Sequence, residues 1–362
     1  MQTLPADTLR RCFVHLLSGV PLLIGPATIG AQATDRRTVS GPAVAIYNLA
    51  GRVRVEGGGT GDVVVEVTRG GADAGRLRIE TGPRREWQTL RVIYPSDRIV
   101  YPRLGGWGSR TTLRVDEQGY FNESDDWRGR GRERVEIRGS GSGLEAWADL
   151  RIVVPRGKRV ALHLGAGEAT VSNVDGDLAV DVSAADVTTE RTRGRLSLDT
   201  GSGSVRVSDA QGSVNLDTGS GSVTVSDVRG DELRMDTGSG SITGRNIEVQ
   251  TLSADVGSGG VRLSGVKASR VSLDTGSGST EVELLTDVEE VNVDAGSGPV
   301  SLRLPAGAGA EVDIETGSGG IETDFPIQVT RWERNSLRGR LGDGKGRIRI
   351  ESGSGRVRLL RS

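Results

Sequence analysis

Apolar and polar residues alternate with a period of two through most of the chain. In residues 213–231 the run VNLD begins at Val214 and the run VTVS begins at Val223, with Gly-Ser-Gly between them and Asp-Val-Arg-Gly after them. Period-two alternation bounded by Gly, Ser and Asp is typical of a strand, a turn and a second strand. No window shows the 3.6-residue period of a helix, so the pattern predicts an all-β protein.

The strand-turn-strand unit recurs from about residue 160 onward. The octapeptide LDTGSGSV at 198–205 returns seven times in recognisable form, with an acidic residue at the same place. The eight acidic positions are Asp199, Asp217, Asp236, Asp255, Asp274, Asp294, Glu315 and Glu351. Successive positions are 18 to 21 residues apart except the last two, which are 36 apart, so we expect a degenerate repeat or an insertion there. A fainter copy lies at 180–182.

A two-strand unit of this length cannot bury its own apolar edge, so neighbouring units must stack. We therefore predict a β-solenoid of stacked two-strand coils of about 18–20 residues. An immunoglobulin-like sandwich is disfavoured, because its domains of about 100 residues do not repeat at this interval. The predicted inward column contains Leu198, Leu216, Met235, Leu273 and Val293.

Residues 103–143 interrupt the alternation, and we predict a long loop excursion that leaves the solenoid between two strands. Aromatic residues are interleaved with arginines there, and Trp, Tyr and Arg often dominate binding energy. The candidate partner-binding residues are therefore Trp107, Tyr120, Phe121, Trp127, Arg128 and Arg130. The alternative is that the excursion folds back as a cap over the open end or the flank of the solenoid and covers apolar edges. A second irregular segment, 326–345, precedes the last repeat.

The N-terminus has the pattern of a cleaved secretory signal. Arg10 and Arg11 precede an apolar run that starts at Cys12 and ends at the small-residue site Ala31-Gln-Ala33. Cleavage there removes Cys12, the one cysteine of the chain. No later apolar run reaches the length of a membrane span. The predicted domains are a signal peptide at 1–33, an N-terminal β-strand region with the excursion at 34–160, and solenoid repeats at 161–362.

Composition narrows the function classes. The formal net charge is −2, which disfavours a nucleic-acid binder of the basic-patch kind. The chain has 55 glycines but only 11 prolines, which argues against collagen and Pro-rich disorder. Aromatic residues make up 3% of the chain, which suits a narrow core of Val, Leu and Ile.

Three stretches resemble one bacterial family. They are the opening NLAGRVRV at 48–55, the serial Thr-Gly-Ser-Gly-Ser-Val units, and the ending at 342–357. The chain resembles the β-strand-repeat putative adhesins over roughly residues 42–360, a family of unknown function related to the head domains of autotransporter adhesins. The resemblance implies an exported β-solenoid with a surface or adhesion role. It implies no catalytic chemistry.

Two motifs suggest enzymes but lack the required context. Asp-Thr-Gly-Ser, the aspartic protease tetrapeptide, begins at Asp199, Asp217, Asp236 and Asp274. Such proteases need two facing carboxylates that share a proton, whereas four copies at one phase of a repeat predict a ladder. The segment 339–345 has phosphate-loop spacing, but Gly346 stands where Ser or Thr is needed. We expect His163 to face solvent, and we assign no catalytic, cofactor or metal residues.

The acidic ladder needs a compensating interaction. Adjacent rungs stack at about 4.8 Å, where like charges repel. We expect solvated carboxylates, or pairing with Arg206, Arg234 and Arg262. Calcium along the ladder is the less favoured alternative, because the Gly-Gly-x-Gly-x-Asp repeat is absent.

These features predict an exported, non-enzymatic binding or scaffold protein of the periplasm or cell surface. Its expected partner is an envelope protein or a polysaccharide. The alternatives are a polysaccharide-active β-helix enzyme, which needs a non-repeated acidic cluster on a groove, and a self-assembling envelope scaffold.

Overall fold

The computed structural model describes residues 34–104, 109–122 and 132–362, and within these ranges the regular structure is β apart from two short 3-10 turns. The turns are Ala74–Arg76 and Pro102–Leu104. No helix in this part of the chain is long and apolar enough to cross a membrane. Twenty-three of the described strands form one sheet and four form a second.

The N-terminal strands build the first coil of the solenoid. They are β1 (Thr34–Val39), β2 (Ala43–Gly57), β3 (Val63–Gly70), β4 (Arg78–Arg84) and β5 (Trp87–Ile93). The first half of β2 pairs parallel with β5, which pairs antiparallel with β4. β1 and β3 form an antiparallel pair at this end of the molecule. The N-terminal region therefore shares one sheet with the repeats.

Twelve strands form the stack that the repeats predict. They are β10 (Trp147–Val154), β11 (Lys158–Ser172), β12 (Gly176–Arg193), β13 (Leu196–Ser202), β14 (Val205–Gln211), β15 (Val214–Ser220), β16 (Val223–Ser239), β17 (Ile242–Ser258), β18 (Val261–Ser277), β19 (Thr280–Leu284), β20 (Glu290–Ser297) and β21 (Val300–Leu304). From β2 and β11 onward each strand pairs parallel with the equivalent strand of the next coil. The predicted β-solenoid is confirmed.

The predicted inward column is also confirmed. Leu198, Leu216 and Met235 pair in direct register, and the column continues through Ala254 to Leu273. Val293 follows Leu273. All of these side chains are buried, because alternation places every second residue of a strand on the inner face.

The repeated Thr-Gly-Ser-Gly segment forms the sharp corner of each coil. Thr200 points inward, and its hydroxyl donates to the carbonyl oxygen of Ala185 across the corner. Gly203 follows with a φ of +134°, and a Cβ there would lie 2.2 Å from the carbonyl oxygen of Ala185. Only glycine can occupy this position, because the backbone of the preceding coil fills the space.

The predicted excursion leaves the solenoid between β5 and β10, and part of it is regular. It contains β7 (Arg110–Asp116) and β8 (Arg132–Arg138), and it is flanked by β6 (Arg98–Val100) and β9 (Leu144–Glu145). They form the small second sheet in the order β7-β8-β6-β9, with β7 and β8 antiparallel. The expectation of an irregular loop throughout 103–143 is therefore wrong for β7 and β8.

The C-terminal strands depart from chain order. They are β22 (Ala310–Thr316), β23 (Ile321–Thr323), β24 (Ile327–Glu333), β25 (Ser336–Leu341), β26 (Gly346–Ser354) and β27 (Val357–Arg361). β26 lies between β20 and β22 and pairs parallel with both. β25 pairs antiparallel with β22, and β24 with β25, so this hairpin ends the sheet. The last repeat of the sequence is thus inserted before the preceding one, and the hairpin of β24 and β25 between the two repeats accounts for the 36-residue step.

The inward register predicts a matched pair of variants. Leu216→Asp should lower the free energy of unfolding by about 3 kcal/mol or more, because it buries an unpaired carboxylate. Asn215→Asp adds the same charge one residue earlier on the outer face, where water solvates it. Urea denaturation of both proteins measures the difference, and equal losses would contradict the inward placement of Leu216.

Candidate functional site

The acidic residues of the repeats form one continuous outward column. Direct pairs of the parallel strands join its members in the order Asp181, Asp199, Asp217, Asp236, Asp255, Asp274, Asp294, Glu351 and Glu315. We call this column the carboxylate ladder. The predicted ladder of the Asp-Thr-Gly-Ser copies is confirmed. A catalytic pair of facing carboxylates requires one distinct geometry, whereas this column repeats the same geometry at every coil.

A row of glycines runs beside the ladder. Gly219 stands two residues after Asp217, and a Cβ there would lie 2.7 Å from the carbonyl oxygen of Gly201 in the preceding coil. Side chains are therefore missing on that side of the carboxylates. The outer face presents a line of acids along a strip of bare backbone.

Arginine pairing does not compensate the middle of the ladder. In the described part of the chain, its ion pairs are confined to the two ends. His163 Nδ1 lies 3.5 Å from Asp181, while Arg338 and Arg349 pair with Glu315 and Glu351. The expected partner Arg262 pairs with Glu281 instead. We expected the carboxylates to be either solvated or paired with arginine. Those between the two ends of the ladder form no ion pair in the described structure and are therefore solvated.

Arg206 and Arg262 cannot reach the ladder because they belong to the other strand of the coil. Arg206 pairs in register with Thr224, and Arg262 with Thr243 and Glu281. Arg234 does share the ladder face, two residues before Asp236, and its charge lowers the pKa of that carboxyl, though less than burial raises it.

Burial and charge repulsion together raise the pKa of every second carboxylate in the ladder from Asp199 to Asp274. Burial raises the pKa of Asp199, Asp236 and Asp274, and the charges of the adjacent rungs raise each of these pKa values further. A raised pKa means that the folded protein binds protons more readily than the unfolded chain. These groups therefore destabilise the fold above their folded pKa values, and the destabilisation is relieved as the pH falls through those values.

The ladder column changes chemistry at its N-terminal end. His163 stands in register with Asp181, and Tyr47 with His163. The rings of Tyr47 and His163 stack at 4.4 Å between centroids with 8° between their planes. His163 is partly covered and its Nδ1 has no hydrogen-bond partner, so the expectation of a solvent-facing histidine is wrong. The excursion provides the cover, because Phe121 packs edge-on against Tyr47 and His163.

Asn122 joins the excursion to the ladder. Its Nδ2 donates to Asp181 Oδ1 at 2.8 Å and contacts Ser183 Oγ at 3.1 Å. Its φ is +55°, a conformation that asparagine tolerates better than most residues. The first acidic rung thus accepts a hydrogen bond from Asn122 and lies beside the ring of His163.

A cavity of about 270 Å³ opens where the excursion meets the repeats. We call it the cap pocket. It is lined by Ala45, Tyr47, Arg84, Arg85, Trp87, Thr89, Asn122, Ala161, His163 and Ala179. The three alanines are in register on adjacent strands and form its floor. Trp87 forms part of the wall, with the guanidinium of Arg159 4.5 Å from the centre of its ring.

Of the six predicted partner-binding residues, the structure describes Tyr120 and Phe121. They are 3% and 0% exposed, and both pack edge-on against Tyr47. The guanidinium of Arg84 lies 3.6 Å from the centre of the Tyr120 ring. This burial corresponds to the cap alternative for these two side chains. Trp107, Trp127, Arg128 and Arg130 lie outside the described residues, and a partner surface on them stays a prediction.

Sequence reasoning missed the cap pocket. Arg84 and Trp87 are three residues apart on one hairpin, but His163 lies 76 residues further along the chain, and none of the three belongs to a recognisable motif. Pairing of β5 with β2 and of β2 with β11 brings them together. One sequence feature could have indicated the pocket. At the N-terminal end of the ladder column, alanine and aromatic residues stand where later coils have serine and aspartate.

A second cavity, of about 560 Å³, lies at the other end of the ladder. Its lining includes Asp294, Glu315 and Glu351 from the ladder and Arg331 from the hairpin. Among the residues that the structure describes, no group of three or more His, Cys, Asp or Glu side chains is arranged to hold a metal ion.

The family model described as Toastrack DUF4097 matches residues 149–360, more than half of the chain. The chain belongs to the Toastrack DUF4097 family. The match begins in β10 and ends in β27, so it includes the stacked coils from β11 onward and leaves β1–β9 outside. All the residues of the cap pocket contributed by β2, β4 and β5 are thus outside the Toastrack match.

No curated protein matches the chain significantly. A solved structure of a putative cell adhesion protein from Clostridium sporogenes ATCC 15579 is similar to this Toastrack protein at 11% sequence identity and a TM-score of 0.22. The alignment covers 91% of this chain and 99% of that one. At this level the likeness supports no conclusion about function.

The ladder predicts that removal of one charge stabilises the protein. Asp236→Asn should raise the free energy of unfolding at neutral pH by up to about 1 kcal/mol, the repulsion of two charges about 4.8 Å apart in water. The gain should shrink as acid protonates the carboxyl of the wild type. Thermal unfolding across pH 4–7 measures both effects. Asp231→Asn, an exposed site outside the ladder, is the control, and an equal gain there would contradict the ladder's repulsion.

Proposed function

We propose that this Toastrack protein is an exported, non-enzymatic binding protein of the cell envelope that holds a polysaccharide unit in the cap pocket. The observation that carries the proposal is the pocket itself, which combines an apolar floor, an aromatic wall and fixed polar groups. The N-terminal signal pattern at 1–33 supports export. The solenoid acts as the rigid scaffold that presents the pocket.

The pocket has the chemistry that a sugar ring requires. Carbohydrate rings have apolar faces that pack on aromatic rings and hydroxyl edges that need hydrogen bonds. Trp87 and the floor of alanines supply apolar surface, while Arg84 and Arg85 supply N–H donors and Asn122 supplies its side-chain oxygen as an acceptor. The volume of about 270 Å³ lies just below that of typical ligand sites, so it fits one sugar unit rather than a long segment.

The arrangement of polar groups favours binding over catalysis. Glycoside hydrolysis uses a distinct pair of carboxylates at a set separation, with one of them kept protonated. Among the described residues no Asp or Glu lines the cap pocket, and the nearby carboxylate of Asp181 already accepts a hydrogen bond from Asn122. The Nδ1 atom of His163 is buried with no hydrogen-bond partner among the described residues, so it is not paired with a hydroxyl group as the base of an activated nucleophile would be.

Export is tested first. We expect cell fractionation to place the protein in the periplasm or on the cell surface, with a new N-terminus at residue 34. Protease treatment of intact cells then separates the two locations, because only a surface protein is degraded. Recovery of the uncleaved chain with the cytoplasmic fraction would contradict export.

The pocket is tested with purified protein and a short oligosaccharide from the envelope of the same cells. Trp87→Ala should weaken binding roughly thirtyfold in titration calorimetry, the effect of losing an aromatic anchor worth about 2 kcal/mol. Trp332→Ala removes an exposed indole at the opposite end of the sheet and should leave the affinity unchanged. Equal affinities of Trp87→Ala and wild type would exclude the cap pocket. Release of new reducing ends would favour an enzyme instead.

A further inference from the structure

The row of acids at the C-terminal end of the ladder continues into the hairpin. Direct pairs of adjacent strands place five residues in one line, in the order Asp294, Glu351, Glu315, Ser336 and Glu333. Residues directly opposite each other on paired strands project from the same face, so a serine stands in a row of carboxylates. The cavity of about 560 Å³ opens over this row, and all five residues line it. We call it the ladder-end cavity.

Ser336 is a buried polar group without a partner. It lies on the outer face, because its neighbour Leu337 is fully buried on the inner face and successive residues of a strand alternate. Ser336 is nevertheless only 7% exposed, and its Oγ has no hydrogen-bond partner among the described residues. A buried hydroxyl without a hydrogen bond costs free energy, which a ligand in the cavity can offset by supplying the partner.

The ladder-end cavity has an excess of negative charge. Four carboxylates line it, against the single guanidinium of Arg331. Glu315 shares the guanidinium of Arg338 with Asp313, and the structure describes no ion pair of Asp294. The cavity therefore favours a cationic ligand over an anionic one.

The shape of the site favours an extended cation with several charges. Adjacent strands lie about 4.8 Å apart, so the row of five residues is spread over about 19 Å and a single small ion contacts only part of it. The lining also includes Gly296, Gly317 and Gly353, whose bare backbone leaves room for a chain of methylenes. An ammonium group has three donors and no acceptor, which suits a surface of carboxylates and one hydroxyl.

We propose that the ladder-end cavity binds a linear aliphatic polyamine. Its ammonium groups pair with the row of carboxylates, one of them donates to Ser336 Oγ, and its methylenes lie on the glycines. The cavity and the cap pocket are at opposite ends of the ladder, so this proposal does not depend on what the cap pocket binds.

Titration calorimetry of the purified protein with spermidine tests the site. Salt at about 0.15 M weakens attraction to the rest of the ladder, and we expect saturable binding of one ligand per chain. Ser336→Ala should raise the dissociation constant about tenfold, the effect of losing one hydrogen bond to a charged group. Butylamine, which has a single ammonium group, should bind at least about tenfold more weakly than spermidine.

Ser352→Ala is the matched control for the hydroxyl. Ser352 also belongs to the lining, and its Oγ is also buried without a partner among the described residues. It stands two residues after the fully buried Ile350, however, so its side chain faces the inner column. Ser352→Ala should leave the affinity for spermidine unchanged.

Asp294→Asn and Asp236→Asn are the matched pair for the charge. Both remove one acid of the ladder, but only Asp294 lines the ladder-end cavity. Asp294→Asn should weaken spermidine binding about tenfold, while Asp236→Asn should not change it.

Lack of saturable spermidine binding would overturn the proposal, as would a Ser336→Ala variant that binds as tightly as the wild type. Equal losses in Asp294→Asn and Asp236→Asn would show attraction to the whole ladder instead of a site. Tighter binding of Ca²⁺ than of spermidine would identify a metal site and reject the polyamine. Oligosaccharide binding should be the same in Ser336→Ala and wild type, which separates this proposal from that of the cap pocket.

Discussion

Direct stacking of parallel coils governs this molecule. In the ladder column each strand pairs with the equivalent strand one coil away with no offset, so a residue at one phase of the repeat contacts its own counterparts above and below. The inner column of Leu198 and Leu216 gains from this arrangement, because identical apolar side chains fill a narrow core. The carboxylate ladder is its unfavourable consequence, because Asp199 and Asp217 are placed next to each other by the same pairing.

Stacking also leaves two open ends, and the chain closes them differently. At the N-terminal end the sheet ends at β1 and β4, and the excursion covers the outer face of the first coils with Tyr120 and Phe121, which pack on Tyr47. At the C-terminal end the final repeat inserts before its predecessor, and the hairpin of β24 and β25 extends the sheet. The first closure buries aromatic rings and the second leaves Trp332 exposed. The two ends therefore differ in structure, since one carries a pocket and the other an exposed edge strand.

Chemistry that could serve function is concentrated where the repetition fails. Along the middle of the solenoid every coil presents the same acid beside the same glycine. The surface of one coil is therefore chemically the same as that of the next. The cap pocket differs because His163 and Tyr47 replace acids in the column and Trp87 comes from outside the Toastrack match. A binding site needs groups of different kinds that converge on one volume, and this convergence occurs at the junction of the repeats with the excursion.

The sequence by itself determined the solenoid, the inward column and the ladder, because these follow from the period-two alternation and the constant spacing of the repeats. Only the tertiary structure decided the order of the last two coils. Glu315 and Glu351 occupy the same phase, so either repeat can follow Asp294, and the choice depends on how the hairpin pairs. Only the structure showed that Tyr120 and Phe121 are buried and that Trp87, Arg84 and His163 share one pocket. These contacts join segments far apart in the chain, and local periodicity carries no information about such pairings.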